Sequence, residues 1–134
     1  MKKDNLFFNS ETGEKYSGTY VSHYENGEKS AVYTLKEGLE HGKAEFYYNS
    51  GEIMEQGSFR KGKKDGRWVR WAEDGTKLAE AYYNEGVKDG KWLIWDERGI
   101  KRYEMYYQQG SKTGEWIMWD EKGQIANKKN FSEN

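Results

Sequence analysis

Apolar and polar residues alternate along this chain in short runs that restart every 24 residues. Gly66-Arg67-Trp68-Val69-Arg70-Trp71 leads to the polar turn Glu73-Asp74-Gly75. Gly90-Lys91-Trp92-Leu93-Ile94-Trp95 leads to Glu97-Arg98-Gly99, and Gly114-Glu115-Trp116-Ile117-Met118-Trp119 to Glu121-Lys122-Gly123. After each turn comes a second run, in two units with an aromatic pair, Tyr82-Tyr83 and Tyr106-Tyr107. Three glycine series keep the same spacing: Gly18, Gly42, Gly66, Gly90, Gly114; Gly27, Gly51, Gly75, Gly99, Gly123; and Gly38, Gly62, Gly86, Gly110. Fourteen of the sixteen glycines lie on these series, and only Gly13 and Gly57 do not. A fixed period of this length marks one supersecondary unit repeated along the chain.

The unit is a β-hairpin. Segments between turn glycines are too short for stable helices, and Trp, Tyr, Val and Ile favour strands. Asn26-Gly27 and Asp74-Gly75 are strong hairpin signals, and glycine takes positive φ without a Cβ penalty. The chain therefore predicts an all-β fold, an elongated antiparallel meander of about ten or eleven strands in a single repeat domain. Its units are 6–17 (incomplete), 18–41, 42–65, 66–89, 90–113 and 114–131, with 132–134 as a tail. Gly38–Gly42, Gly62–Gly66, Gly86–Gly90 and Gly110–Gly114 are expected as links between hairpins. At roughly 4.8 Å per strand the sheet extends about 50 Å, and a sheet that wide twists or rolls.

Alternation puts Trp92 and Ile94 on one face and Leu93 and Trp95 on the other. Trp68 likewise opposes Val69 and Trp71, and Trp116 and Met118 oppose Ile117 and Trp119. Both faces carry apolar groups, whereas a sheet with one solvated face alternates more cleanly. Either the array rolls so that one face closes on itself, or one face awaits a partner. Towards the C-terminus, Lys128 and Lys129 on an expected edge strand discourage aggregation, although exposed edges also allow self-association.

Composition changes the picture in two ways. The chain is 34% hydrophobic and 34% charged, which argues against a thick core, yet six Trp, eleven Tyr and five Phe argue against disorder. The formal net charge of −1 gives no general attraction to nucleic acid. The absence of cysteine excludes disulfide and thiol chemistry and suits a cytoplasmic location. Met1–Phe8 lacks the apolar core of a signal peptide. No apolar run approaches the roughly 18 residues of a membrane-spanning helix.

Gly38-Leu39-Glu40-His41-Gly42-Lys43-Ala44-Glu45-Phe46-Tyr47-Tyr48-Asn49-Ser50-Gly51 resembles the signature of MORN repeats, and Tyr16-Ser17-Gly18-Thr19-Tyr20 resembles that family's Tyr-x-Gly-x-aromatic opening. The Gly-x-Trp-x-x-Trp strands and the period are closer to a bacterial variant of the family. His41 is replaced by Asp65, Asp89 and Thr113 in the later units. The resemblance implies stacked hairpins that act as protein-interaction scaffolds or contact phospholipid. For the bacterial variant it implies an antitoxin or immunity partner of a toxin.

Candidate chemistry lies in the aromatic rows. Trp68, Trp71, Trp92, Trp95, Trp116 and Trp119, with Tyr83 and Tyr107, are candidate anchors for a protein partner, since Trp and Tyr dominate interface energetics. The basic run Arg60, Lys61, Lys63, Lys64, Arg67 and Arg70 is the alternative, a site for anionic lipid. Its weakness is that acidic and basic residues are mixed in nearly every unit. Catalysis finds no support: His23 and His41 occupy different repeat positions, and the turn carboxylates are explained by solvation. No ligand set for a metal or cofactor is evident. The expectation is a non-catalytic protein-binding module.

Overall fold

The computed structural model describes residues 2–131, so the expected tail at 132–134 lies outside it. The strands are β1 (Lys2–Lys3), β2 (Leu6–Phe7), β3 (Gly18–His23), β4 (Lys29–Lys36), β5 (Leu39–Tyr47), β6 (Ile53–Arg60), β7 (Lys63–Lys64), β8 (Gly66–Trp71), β9 (Lys77–Asn84), β10 (Val87–Lys88), β11 (Gly90–Trp95), β12 (Lys101–Gln108), β13 (Ser111–Trp119) and β14 (Ile125–Asn130). Apart from β1 and β2 they form one 12-stranded antiparallel sheet. Ten long strands follow in chain order from β3 to β14, while the short β7 and β10 pair with β6 and β9. β3 and β14 do not pair with each other, so the meander is open and not a barrel.

Two kinds of turn alternate. At the first, Gly27 N–H donates to Tyr24 O at 3.0 Å and Tyr24 N–H to Glu28 O at 2.8 Å, with Gly27 at φ 92°. The same bonds recur from Tyr48, Ala72, Asp96 and Asp120. A register shift precedes each, for example between Arg70 and Trp71 and between Ile94 and Trp95, as a β-bulge produces.

The second turn corrects the expected links, which are mostly strand. Only two residues turn, Glu37-Gly38, Lys61-Gly62, Glu85-Gly86 and Gln109-Gly110, all with positive φ, as a type I′ hairpin turn requires. The non-glycine residue is costly in that conformation, and an acceptor from about 20 residues earlier holds it. Ser17 Oγ accepts Glu37 N–H at 2.9 Å and His41 Nδ1 accepts Lys61 N–H at 3.3 Å. Asp65 Oδ1 accepts Glu85 N–H at 3.0 Å and Asp89 Oδ1 accepts Gln109 N–H at 3.2 Å. Ser17, His41, Asp65 and Asp89, the residues before Gly18, Gly42, Gly66 and Gly90, are thus clamps between consecutive units, which explains why His and Asp interchange there.

Residues 6–17 do not add a strand beside β3, where the 24-residue frame would put one. β2 pairs with β1 through a turn at Asp4-Asn5. Phe7 packs against Tyr20 and Tyr33, with centroids at 5.0 and 6.1 Å. Phe7 N–H donates to Gly38 O at 2.8 Å, which fixes this hairpin across one face.

The core is thin. Among the described residues, the buried hydrophobic side chains are Phe7, Ala31, Leu35, Ala44, Trp68, Val69 and Ala81. Gly57, one of the two off-series glycines, explains the burial of Trp68. Its backbone lies beneath the indole, and a Cβ there would fall inside the ring, only 2.6 Å from Cε3 and nearer still to Cδ2 and Cε2.

Candidate functional site

Side chains directly opposite in an antiparallel pair share a face, so the register sorts the aromatic candidates into two sets. Trp68, Trp92 and Trp116 stand opposite Ala81, Met105 and Lys129 on one face, together with Tyr83 and Tyr107. Trp71, Trp95 and Trp119 stand opposite Lys77, Lys101 and Ile125 on the other.

The first face carries a ladder of rings in two runs, with Lys64 between them. Tyr83–Trp92, Trp92–Tyr107, Tyr107–Trp116 and Trp116–Phe131 centroids lie 5.5, 5.6, 5.3 and 4.8 Å apart, and Phe59–Trp68 lie 5.0 Å apart. Each indole N–H is satisfied by the preceding hairpin: Trp68 to Ser58 O at 3.0 Å, Trp92 to Tyr82 O at 3.3 Å, Trp116 to Tyr106 O at 3.0 Å. These three tryptophans therefore hold neighbouring hairpins together. Trp68 is only 3% exposed and offers a partner almost nothing. Trp92 and Trp116 are half-buried, because the residue beside each ring grows from Gly57 to Ala81 to Met105 along the array.

Lysines lie over the ladder. Lys64 Nζ is 4.6 Å from the Trp68 centroid and 5.2 Å from Tyr83. Lys88 is 4.7 and 4.8 Å from Trp92 and Tyr107, and Lys112 is 5.1 and 5.3 Å from Trp116 and Phe131. Such placements favour the cation by cation–π attraction. The equivalent residue one unit before Lys64 is Glu40. Lys64 also pairs with Glu55 at 3.8 Å, and burial, then the Glu55 charge, raises the Tyr83 pKa. Beyond Glu55 its equivalents are Ala79, Tyr103 and Asn127. Among the described residues the ladder face therefore runs from ion-paired lysines at its N-terminal end, Lys2 with Glu40 and Lys64 with Glu55, to lysines without a carboxylate partner at its C-terminal end.

The opposite face holds two of its carboxylates, Glu80 and Glu104, in ion pairs. Glu80 accepts from Arg67 Nε and Nη2 at 3.1 and 3.2 Å and pairs with Lys77 at 2.7 Å. The Arg67 hydrogen bonds first, then Lys77, hold its carboxyl down to about 2. Glu104 repeats the arrangement with Tyr106 and Lys101, its carboxyl lowered first by the Tyr106 hydroxyl. Lys77 and Lys101 also cover Trp95 and Trp119 at 5.2 and 4.9 Å, while Trp71 shares a shallow depression with Val69 and Arg67.

The basic run does not form one surface. Lys64 and Arg70 belong to the ladder face and Arg67 to the opposite face. Arg60, Lys61 and Lys63 meet at the turn edge in a shallow depression shared with Glu85, and Arg60 pairs with Asp65 at 3.7 Å. Sequence reasoning missed a different feature, the groove on the last three strands. Tyr103, Met105, Trp116, Met118 and Phe131 line it, with Lys112 and Lys129 at its rim, and it encloses about 270 Å³. Trp116 is among the candidate anchors read from the sequence, and the two methionines, absent from equivalent places in the preceding units, are what sets this part of the chain apart there.

An open antiparallel sheet of repeated hairpins with a ring ladder is the architecture of a repeat protein. The family model described as MORN repeat variant matches residues 40–61, 88–109 and 112–133, together just under half of the chain. Such repeats generally serve binding rather than catalysis. Residues 62–87, between the first two matches, carry the same hairpin, clamp and stacked lysine. No curated protein matches the chain.

Proposed function

We infer that this chain is a non-catalytic module that binds a protein partner through the C-terminal half of its ladder face. One observation carries the reading: from Lys88 to Phe131 this face combines half-buried rings with lysines and lacks carboxylates, and Tyr103 on it is 38% exposed. Apolar rings with a charged rim are the composition of interface hot spots, and a rigid sheet keeps the ordering cost of binding low. The resemblance to the bacterial variant adds the finer proposal that the partner is a toxin, which the chain neutralises by covering its working surface.

The test is capture of the partner by the tagged chain from the source cells, with bound proteins identified by mass spectrometry. One stoichiometric protein partner is expected, and a toxin domain within it supports the finer proposal. Trp92→Ala should weaken binding by at least about 2 kcal/mol and Trp95→Ala should not. Because Trp92 also holds hairpins together, Tyr103→Ser serves as the fold-preserving counterpart. Wild-type binding by Trp92→Ala and Tyr103→Ser refutes the face assignment. A second reading, contact with an anionic membrane, draws on the same lysines. It requires vesicle binding that depends on anionic lipid and falls with salt.

A further inference from the structure

The groove across β12, β13 and β14 differs from the rest of the ladder face in two respects. Its floor is deformable. Met105 takes the place of Gly57 and Ala81, and Met118 that of Arg70 and Ile94; methionine fits itself to varied shapes. Its rim is uncompensated. Lys112 lies over Trp116 and Phe131, and Lys129 lies over Phe131 at 5.2 Å. Among the described residues neither makes an ion pair, and no carboxylate lines the groove. Two units earlier, Lys64 has its counter-charge in Glu55, whose place is taken here by Tyr103. The neighbouring carboxylate Glu104 is committed to Lys101 and Tyr106 on the opposite face.

We propose that this groove receives an extended acidic segment of the protein partner. One large apolar side chain of that segment packs between Met105 and Met118 against Trp116, and flanking carboxylates meet Lys112 and Lys129. The proposal rests on the protein-binding reading and names the chemistry of the partner. At about 270 Å³ the groove is smaller than most small-molecule pockets, which suits one or two side chains of a larger ligand. A membrane fits less well: its binding needs apolar groups that project, whereas these lie recessed between Tyr103 and Phe131. Both ammonium groups are folded onto rings rather than extended towards headgroups.

The experiment uses the full chain labelled at the methionine methyl carbons and indole nitrogens, titrated with a blocked peptide Glu-Leu-Glu-Leu-Glu. The Met105 and Met118 methyls and the Trp116 indole should shift, and the Met54 methyl should not. Exchanging every Glu of the peptide for Lys should weaken binding at least about tenfold. So should Lys112→Gln combined with Lys129→Gln. Tyr103→Glu, which restores the counter-charge found at Glu55, should do the same while leaving both lysines in place. No shift up to about 10 mM peptide, or equal binding of the lysine peptide, overturns the proposal. So does a shift of the same signals by phosphatidylserine vesicles but not by peptide, or on raising the concentration of the chain alone. If the double glutamine variant still captures the native partner with full affinity, the groove assignment falls while the protein-binding reading stands. Failure of the wild-type chain to capture any protein overturns that reading instead, and the peptide titration then decides the groove separately.

Discussion

Gly57→Ala adds one methyl group at the most closely packed point of the sheet. In strand geometry alanine is the better residue by about 0.5–1 kcal/mol, so the substitution stabilises unless something opposes it. The indole of Trp68 does. The new Cβ would stand 2.6 Å from Cε3 and overlap Cδ2 and Cε2, where ordinary carbon contacts need about 3.5–4.0 Å. The ring must withdraw by about 1 Å or more, which strains its 3.0 Å bond to Ser58 O and its packing on Phe59 and Phe46. A lost hydrogen bond costs about 1 kcal/mol and overpacking about 1–3 kcal/mol. The net expectation is a loss of about 2–3 kcal/mol, or roughly 10 °C in Tm. Urea unfolding followed by circular dichroism measures it, with the same substitution repeated in a Trp68→Leu background. There the cost should fall below about 0.5 kcal/mol. Equal costs in the two backgrounds, or a Gly57→Ala protein as stable as wild type, refute the account.

Glu80→Gln tests the ion pairs of the opposite face. Its folded carboxyl at about 2 lies below the usual glutamate value of 4.5, so its stabilisation is present above the unfolded value and lost as pH falls through the folded one. With Arg67 53% exposed, screening leaves on the order of 1–2 kcal/mol at pH 7. Urea curves should show that difference shrinking towards pH 2, and a pH-independent difference refutes it. Asp89→Ala removes the acceptor of Gln109 N–H and should cost about 1 kcal/mol in thermal unfolding. Gln109→Gly, which relieves the positive φ, should gain about 0.5–1 kcal/mol. A neutral result for both refutes the clamp.

Most of the fold was legible because glycine spacing and ring alternation report backbone geometry directly. The acidic turns were recognisable from Asn26-Gly27 and Asp74-Gly75. The second turns were not, since Glu37, Lys61, Glu85 and Gln109 are poor type I′ residues on their own. They tolerate the conformation through an acceptor 20 residues away, which local reading cannot register. The start of the chain departs from the period for a similar reason: Phe7 follows ring contacts with Tyr20 and Tyr33. At the candidate site, alternation separated Trp92 from Trp95 correctly. It could not tell the buried Trp68 from the half-buried Trp116, because that difference comes from Gly57 and Met105 on neighbouring strands. Counting charges unit by unit suggested a uniform mixture, and only strand register shows which charges share a face.

The clamp also bears on how such a chain can change length. Each bond between consecutive units uses a donor and an acceptor at fixed places in the 24-residue frame. Excising residues 66–89 would therefore join Asp65 to Gly90, offer Gln109 N–H to Asp65, and lay Trp92 over Gly57 with no new type of contact. Whole units are interchangeable lengths of tape, and a cut of any other size breaks the clamp that spans it. Evolution or design can shorten this protein by whole units while leaving its last three strands untouched.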